Sequence, residues 1–270
     1  MFNLTPTVRN LLLANIAVFL LQKSPQIGEQ VTRLGSLYPL GSPFFGVWQF
    51  VTYIFLHSPG DWQHILFNMF GLISFGPLLE QRWGRQRFLA FWLICGVGAG
   101  VLYEGTRVYE LHRMAQAAAE FHQLPGAAEF AAFYHTYFPD ASGAQIQAAA
   151  NQLQQHPNDA TLIAQAQQAL DAAVVYARDS PNAGMLGASG ALFGVLFAFA
   201  YLFPNTELMM LFFPLPIKAK YFVGLYALLE LYQGVHRIPG DNVAHFAHLG
   251  GLLIGFILVK IWERGRTQFY

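Results

Sequence analysis

Three apolar segments of this chain each begin with polar residues of a kind that can attack a carbonyl. Gly187-Ala188-Ser189-Gly190 opens one, His64-Ile-Leu-Phe-Asn68 opens a second, and His245-Phe-Ala-His248-Leu-Gly-Gly251 opens a third. A serine hydroxyl is a poor nucleophile until a neighbouring base takes its proton, and an imidazole within hydrogen-bond reach can be that base. The tetrahedral oxyanion that follows needs donors. His64, Asn68 and the backbone N–H of Ser189 are candidates. Polar groups inside long apolar segments are expensive and usually functional.

The chemistry depends on what brings these residues together. The 270 residues are 54% hydrophobic and 11% charged, against about 25% charged in an average soluble domain. A membrane span needs about 20 mostly apolar residues. Six segments reach or approach that length: Val8–Gln22, Ile65–Leu79, Phe88–Tyr103, Met185–Phe203, Ala219–Val235 and Val243–Trp262. The fold class expected is therefore an all-α polytopic membrane protein with six transmembrane helices. Trp48–Leu56 is too short to span and reads as a membrane-embedded or interfacial loop. Spans two, four and six begin on the same side of the bilayer. Alternation alone then sets His64, Asn68, Ser189 and His248 at one depth. Glu230, on span five, is read as off the faces in question, so a Ser–His pair without a third, acidic member is expected.

Lys and Arg gather in the short loops of one side, clearest at Arg82, Arg85 and Arg87. By the positive-inside tendency both termini are expected in the cytoplasm and the polar cluster near the outer face. Residues 104–182 differ in composition, being rich in Ala and Gln, and prolines 125, 139, 157 and 181 punctuate them. Ala and Gln favour helix, and proline interrupts it. Two to four amphipathic helices are expected there, forming an outward-facing insertion between residues 1–103 and 183–270. The zero net charge gives no footprint for nucleic acid. The single cysteine, Cys95, has no intrachain partner and reads as a packing residue. Leu11–Leu21 lacks a small-x-small cleavage site and reads as a retained first span rather than a signal peptide. Gly190 and Gly194, with Gly251 and Gly255, carry the small-residue spacing that lets two helices approach closely in lipid.

These residues resemble the rhomboid intramembrane serine proteases. Four motifs carry the likeness, in order: His64-x-x-x-Asn68, Glu80-x-x-x-Gly84, Gly187-Ala188-Ser189-Gly190, and Ala247-His248-x-x-Gly251-x-x-x-Gly255. The resemblance covers the chain outside the insertion. It implies Ser189 as nucleophile and His248, rather than His245, as base. Support at the oxyanion is implied for His64, Asn68 and Gly187, and Phe193 is implied to pack its ring on the base. Trp48 matches the first residue of a Trp-Arg pair of the family's first loop, where Gln49 replaces the arginine, and His57 matches a histidine of that loop.

The resemblance implies cleavage of transmembrane protein substrates within the lipid bilayer near the outer face, with neither cofactor nor metal. Substrate is expected to enter past span five and the loop 234–242. A bacterial plasma membrane is the expected location. The alternative is a catalytically inactive rhomboid-like protein that binds membrane clients, although such relatives commonly lack the serine or the histidine. A proton-coupled transporter would place acids through both leaflets, whereas here the polar residues share one depth.

Overall fold

The computed structural model describes residues 4–210, 213–236 and 243–264. The described residues are almost entirely helical. Helix α1 (Pro6–Gln22) is followed by the short α2 (Gly28–Gly35) and α3 (Gln49–Thr52), and a 3-10 turn at Tyr53–Phe55 leads into α4 (Trp62–Trp83). Then come α5 (Arg85–Gln123), α6 (Ala127–Tyr137), α7 (Gly143–Gln155), α8 (Ala160–Asp179) and α9 (Ser189–Leu202). A two-stranded antiparallel hairpin, β1 (Glu207–Met210) and β2 (Phe213–Lys218), precedes α10 (Ala219–Val235) and α11 (His245–Trp262).

Local chemistry sets the helix ends. The Asp61 carboxylate accepts from the Gln63 N–H at the start of α4, as an N-cap should. Gly84 stops α4 with φ of 81°, a left-handed conformation that glycine adopts at little cost. Glu80, one turn earlier, accepts from Thr5 Oγ1 and from the backbone N–H groups of Thr7 and Val8. Those amides belong to the first turn of α1, where no intrahelical acceptor exists. The Glu80-x-x-x-Gly84 motif thus ends one helix and caps another.

By length and composition, α5 and α11 could each cross a membrane, and α1 and α9 are shorter apolar helices. The α5 helix has 39 residues, about 58 Å at 1.5 Å each. That is nearly twice a hydrocarbon core of about 30 Å, so one helix serves two regions. Its first part packs on α9 and α11. Its second part joins α6, α7 and α8 around a separate apolar core that includes Met114, Phe121, Phe130, Phe133 and Leu170. The 103/104 boundary expected between membrane helices and insertion lies inside this continuous helix.

In the main bundle α9 is central and buried on nearly every face, packed between α5, α11 and α4. The glycines explain how closely α9 and α11 approach. A Cβ placed on Gly251 would lie 1.8 Å from the Gly190 carbonyl oxygen, and one on Gly255 would lie 2.7 Å from Gly194 Cα. Cys95 fills the space beside Gly194 and is fully buried. By contrast, Leu225, Leu228, Leu229, Leu231 and Val235 of α10 are all exposed. Such an apolar outer surface suits lipid rather than water.

Candidate active site

The chain before α9 is tied to the loop that precedes α4. Leu37 and Met185 exchange backbone hydrogen bonds, both 2.8 Å, and the Gly187 N–H donates to the Tyr53 carbonyl at 3.0 Å. The Tyr53 hydroxyl in turn donates to the Gly96 carbonyl of α5 at 2.6 Å. Gly187 has φ of 139°, where a side chain is strained. A Cβ there would also stand 3.0 Å from His64 Nε2 and 3.5 Å from Ser189 Oγ. Glycine is needed at 187 on both counts, and the spot it leaves open lies between the serine and the His64 ring. The next turn of backbone starts α9 at Ser189. A helix start leaves N–H groups without intrahelical acceptors and carries the positive end of the helix dipole.

Ser189 Oγ lies 2.7 Å from His248 Nε2. Phe193, one turn along α9, stacks on the His248 ring with centroids 4.3 Å apart and planes 9° from parallel. Phe193 also meets Tyr226 of α10, with ring centroids 4.9 Å apart. This packing leaves the imidazole little freedom to turn. Its second nitrogen, Nδ1, is 2.9 Å from Glu230 Oε2, and the same oxygen is 2.7 Å from His245 Nδ1.

His64 also has a settled tautomer. Its Nδ1 accepts from the Ser58 backbone N–H at 3.4 Å, so its proton sits on Nε2, the nitrogen beside Gly187. An N–H therefore points toward the space over Ser189. The Asn68 amide donates to the His64 carbonyl at 2.8 Å, which commits one of its two N–H groups. His57 lies behind His64 with rings 5.1 Å apart, and it is fully buried. Burial first, and then the neighbouring His64, push its pKa down to about 3, so the ring is neutral. Gln49, which replaces the arginine of the family's pair, is buried. It accepts from Tyr38 N–H and donates to the Phe44 carbonyl, stitching the loop internally.

Among the residues singled out in the sequence, Ser189, His248, Phe193, Gly187 and His64 meet around one point. Asn68 braces His64 from the following turn. His245 pairs with Glu230. The expectation that no acid reaches the base does not hold, because Glu230 contacts His248 directly. Its signal was present in α10, where the buried residues Ala219, Val223 and Glu230 lie on a single helical stripe. A carboxylate on the inward stripe of an apolar helix needs a partner. Glu230, His245 and His248 are also a group whose ligand atoms lie within 4.8 Å of one another. Their contacts of 2.7 and 2.9 Å are hydrogen-bond spacings. Donors around one zinc at about 2.0–2.2 Å would stand roughly 3.3 Å apart. The expected entry loop, 234–242, lies for the most part outside the described residues.

The chain is 30% identical over 223 residues to an uncharacterized mitochondrial rhomboid protein of Schizosaccharomyces pombe, covering 80% of this chain and 52% of that protein. It is 39% identical over 87 residues to the mitochondrial Rhomboid protein 1 of Saccharomyces cerevisiae, covering 31% of this chain and 25% of that one. The chain thus spans about half the length, or less, of these relatives. Both are named as mitochondrial, which overturns the expected bacterial plasma membrane with cytoplasmic termini. Loop charges report sidedness across a bilayer and carry no information about which membrane it is. The family model described as Rhomboid domain matches residues 45–110 and 159–264. The unmatched stretch between them falls inside the helical insertion. With the Ser189–His248 contact seated on these matched segments, the chain belongs to the rhomboid family.

Proposed function

We propose that this protein is an intramembrane serine endopeptidase of a mitochondrial membrane, with Ser189 as nucleophile and His248 as general base. The observation that carries the reading is the 2.7 Å contact from Ser189 Oγ to His248 Nε2, with the ring held against Phe193. Six helices, α1, α4, α5, α9, α10 and α11, cross the bilayer. Substrates are transmembrane proteins, cut near the face at which α4, α9 and α11 begin.

His248 Nε2 takes the hydroxyl proton as Ser189 Oγ attacks the scissile carbonyl. The oxyanion is held by the Ser189 N–H at the helix start and by His64 Nε2–H, with Asn68 supporting His64. His248 then passes its proton to the leaving amine, and the acyl-enzyme forms. Water, deprotonated by the same imidazole, attacks the acyl carbonyl and frees Ser189. The substrate must unwind locally, because a helical peptide bond keeps its carbonyl in the i to i+4 ladder. Lateral entry past α10 fits the exposed apolar face of that helix.

The test is cleavage of a transmembrane reporter by purified protein in lipid vesicles. Wild type should cut, and both Ser189→Ala and His248→Ala should fall to background. Undiminished cleavage in either variant would sink the reading. A wild type that binds reporter without cutting it would instead identify an inactive client-binding protein.

A further inference from the structure

Glu230 is a buried group at the site that this scheme leaves without a task. It is 3% exposed on a helix whose opposite face is lined with exposed leucines. A carboxylate in such surroundings persists when it is paired and fully hydrogen-bonded. Glu230 Oε2 faces two ring nitrogens, His248 Nδ1 at 2.9 Å and His245 Nδ1 at 2.7 Å. An ionised carboxylate only accepts, so both nitrogens carry protons and donate. For His248 this fixes the tautomer. The proton is on Nδ1, and the lone pair of Nε2 faces the Ser189 hydroxyl at 2.7 Å.

We propose that Glu230 is the positioning residue of a Ser189–His248–Glu230 relay, with His245 holding the carboxylate from its other side. The inference rests on the protease reading above. When His248 takes the serine proton it becomes an imidazolium, and the carboxylate one hydrogen bond away stabilises that charge. No proton passes to Glu230. The Nδ1 proton stays on the ring, and the Nε2 proton goes on to the leaving amine. This is the logic of the Ser-His-Asp arrangement, built here with an acid supplied by α10.

The experiment combines kinetics and nitrogen NMR on the full chain in lipid. Glu230→Gln keeps size while removing the charge, and its amide can favour the wrong tautomer. Its kcat on the transmembrane reporter should fall by about 10²- to 10⁴-fold, with KM changed by less than about threefold. Glu230→Asp should restore part of that loss. With ¹⁵N-labelled histidine, His248 should show a protonated Nδ1 in the wild type and a changed tautomer in Glu230→Gln. A folded Glu230→Gln variant with kcat within about tenfold of wild type would overturn the relay. So would a wild-type His248 with an unprotonated Nδ1. The NMR reading decides alone if the variant does not fold. It also separates the two ideas, because a wild type that cuts no reporter defeats the protease reading and leaves the tautomer measurement standing.

Discussion

The bundle around α9 and the helical insertion are built in opposite senses. In the bundle, buried positions include Asn15, Gln49, His57, Asn68, Glu80, Glu230, His245 and His248, while leucines, isoleucines and phenylalanines are exposed. In the insertion the buried core is apolar, and among the described residues none of the buried polar or charged ones falls between positions 105 and 179. Its histidines, His112, His122, His135 and His156, are all exposed. The insertion follows the rule for water. The bundle follows the rule for lipid, where a polar group has no favourable place outside and must be satisfied within. In the bundle the buried His248 contacts Ser189 and Glu230, whereas in the insertion the histidines lie at the surface.

The comparison would break most sharply at Gly251. Replacing it with valine sets a side chain against the Gly190 carbonyl, 1.8 Å from where Cβ must go. Overpacking of this kind costs about 3 kcal/mol or more where backbone must shift. Reporter cleavage should vanish and the melting temperature in detergent should drop. An unchanged melting curve would contradict the close approach of α9 and α11. Next in size is His64→Ala, which removes an oxyanion donor. It should lower kcat by about 10²- to 10³-fold while leaving thermal stability near wild type, and steady-state kinetics in vesicles would show it.

The insertion offers the contrasting case. Leu170 is fully buried in its core, and Leu170→Ala should destabilise that core by about 2–5 kcal/mol. Limited proteolysis should then cut within the insertion while reporter kcat stays close to wild type. Loss of cleavage in step with loss of the insertion core would show that the regions fold and act as one. The smallest effect is expected for Arg178→Ala. Its pair with Asp179 is largely exposed, and exposed pairs contribute less than about 1 kcal/mol. Neither melting nor cleavage should change measurably.

Much of this was readable before the structure because two strong patterns coincided. Apolar length marked α5 and α11 as long enough to cross a membrane, and α10 begins and ends where Ala219–Val235 suggested. Prolines 125, 139, 157 and 181 fall in the breaks beside α6, α7 and α8, since proline cannot continue a helix. The proximity of His64, Ser189 and His248 is what alternation of the spans would give. The rest depended on tertiary contact. The α5 helix runs unbroken past Tyr103 because nothing in Glu104-Gly105-Thr106 ends it. Composition changes there, but backbone geometry does not. The hairpin Glu207–Lys218 was hidden by Pro214 and Pro216, residues that argue against a strand except at an edge, and a two-stranded hairpin is all edge. Glu230 was seen but misassigned, since the inward face of α10 is set by its packing on α9 and α11. The membrane's identity was beyond any argument from loop charge.

In the proposed mechanism Ser189, half-buried in the bundle, is made nucleophilic by His248. A fluorophosphonate reacts covalently with an activated serine, so peptide mass mapping of the labelled protein in lipid vesicles tests the claim directly. One adduct is expected, on Ser189, and it should disappear in His248→Ala. An adduct on another residue in a cleaving preparation, or equal labelling of Ser189 without His248, would contradict it.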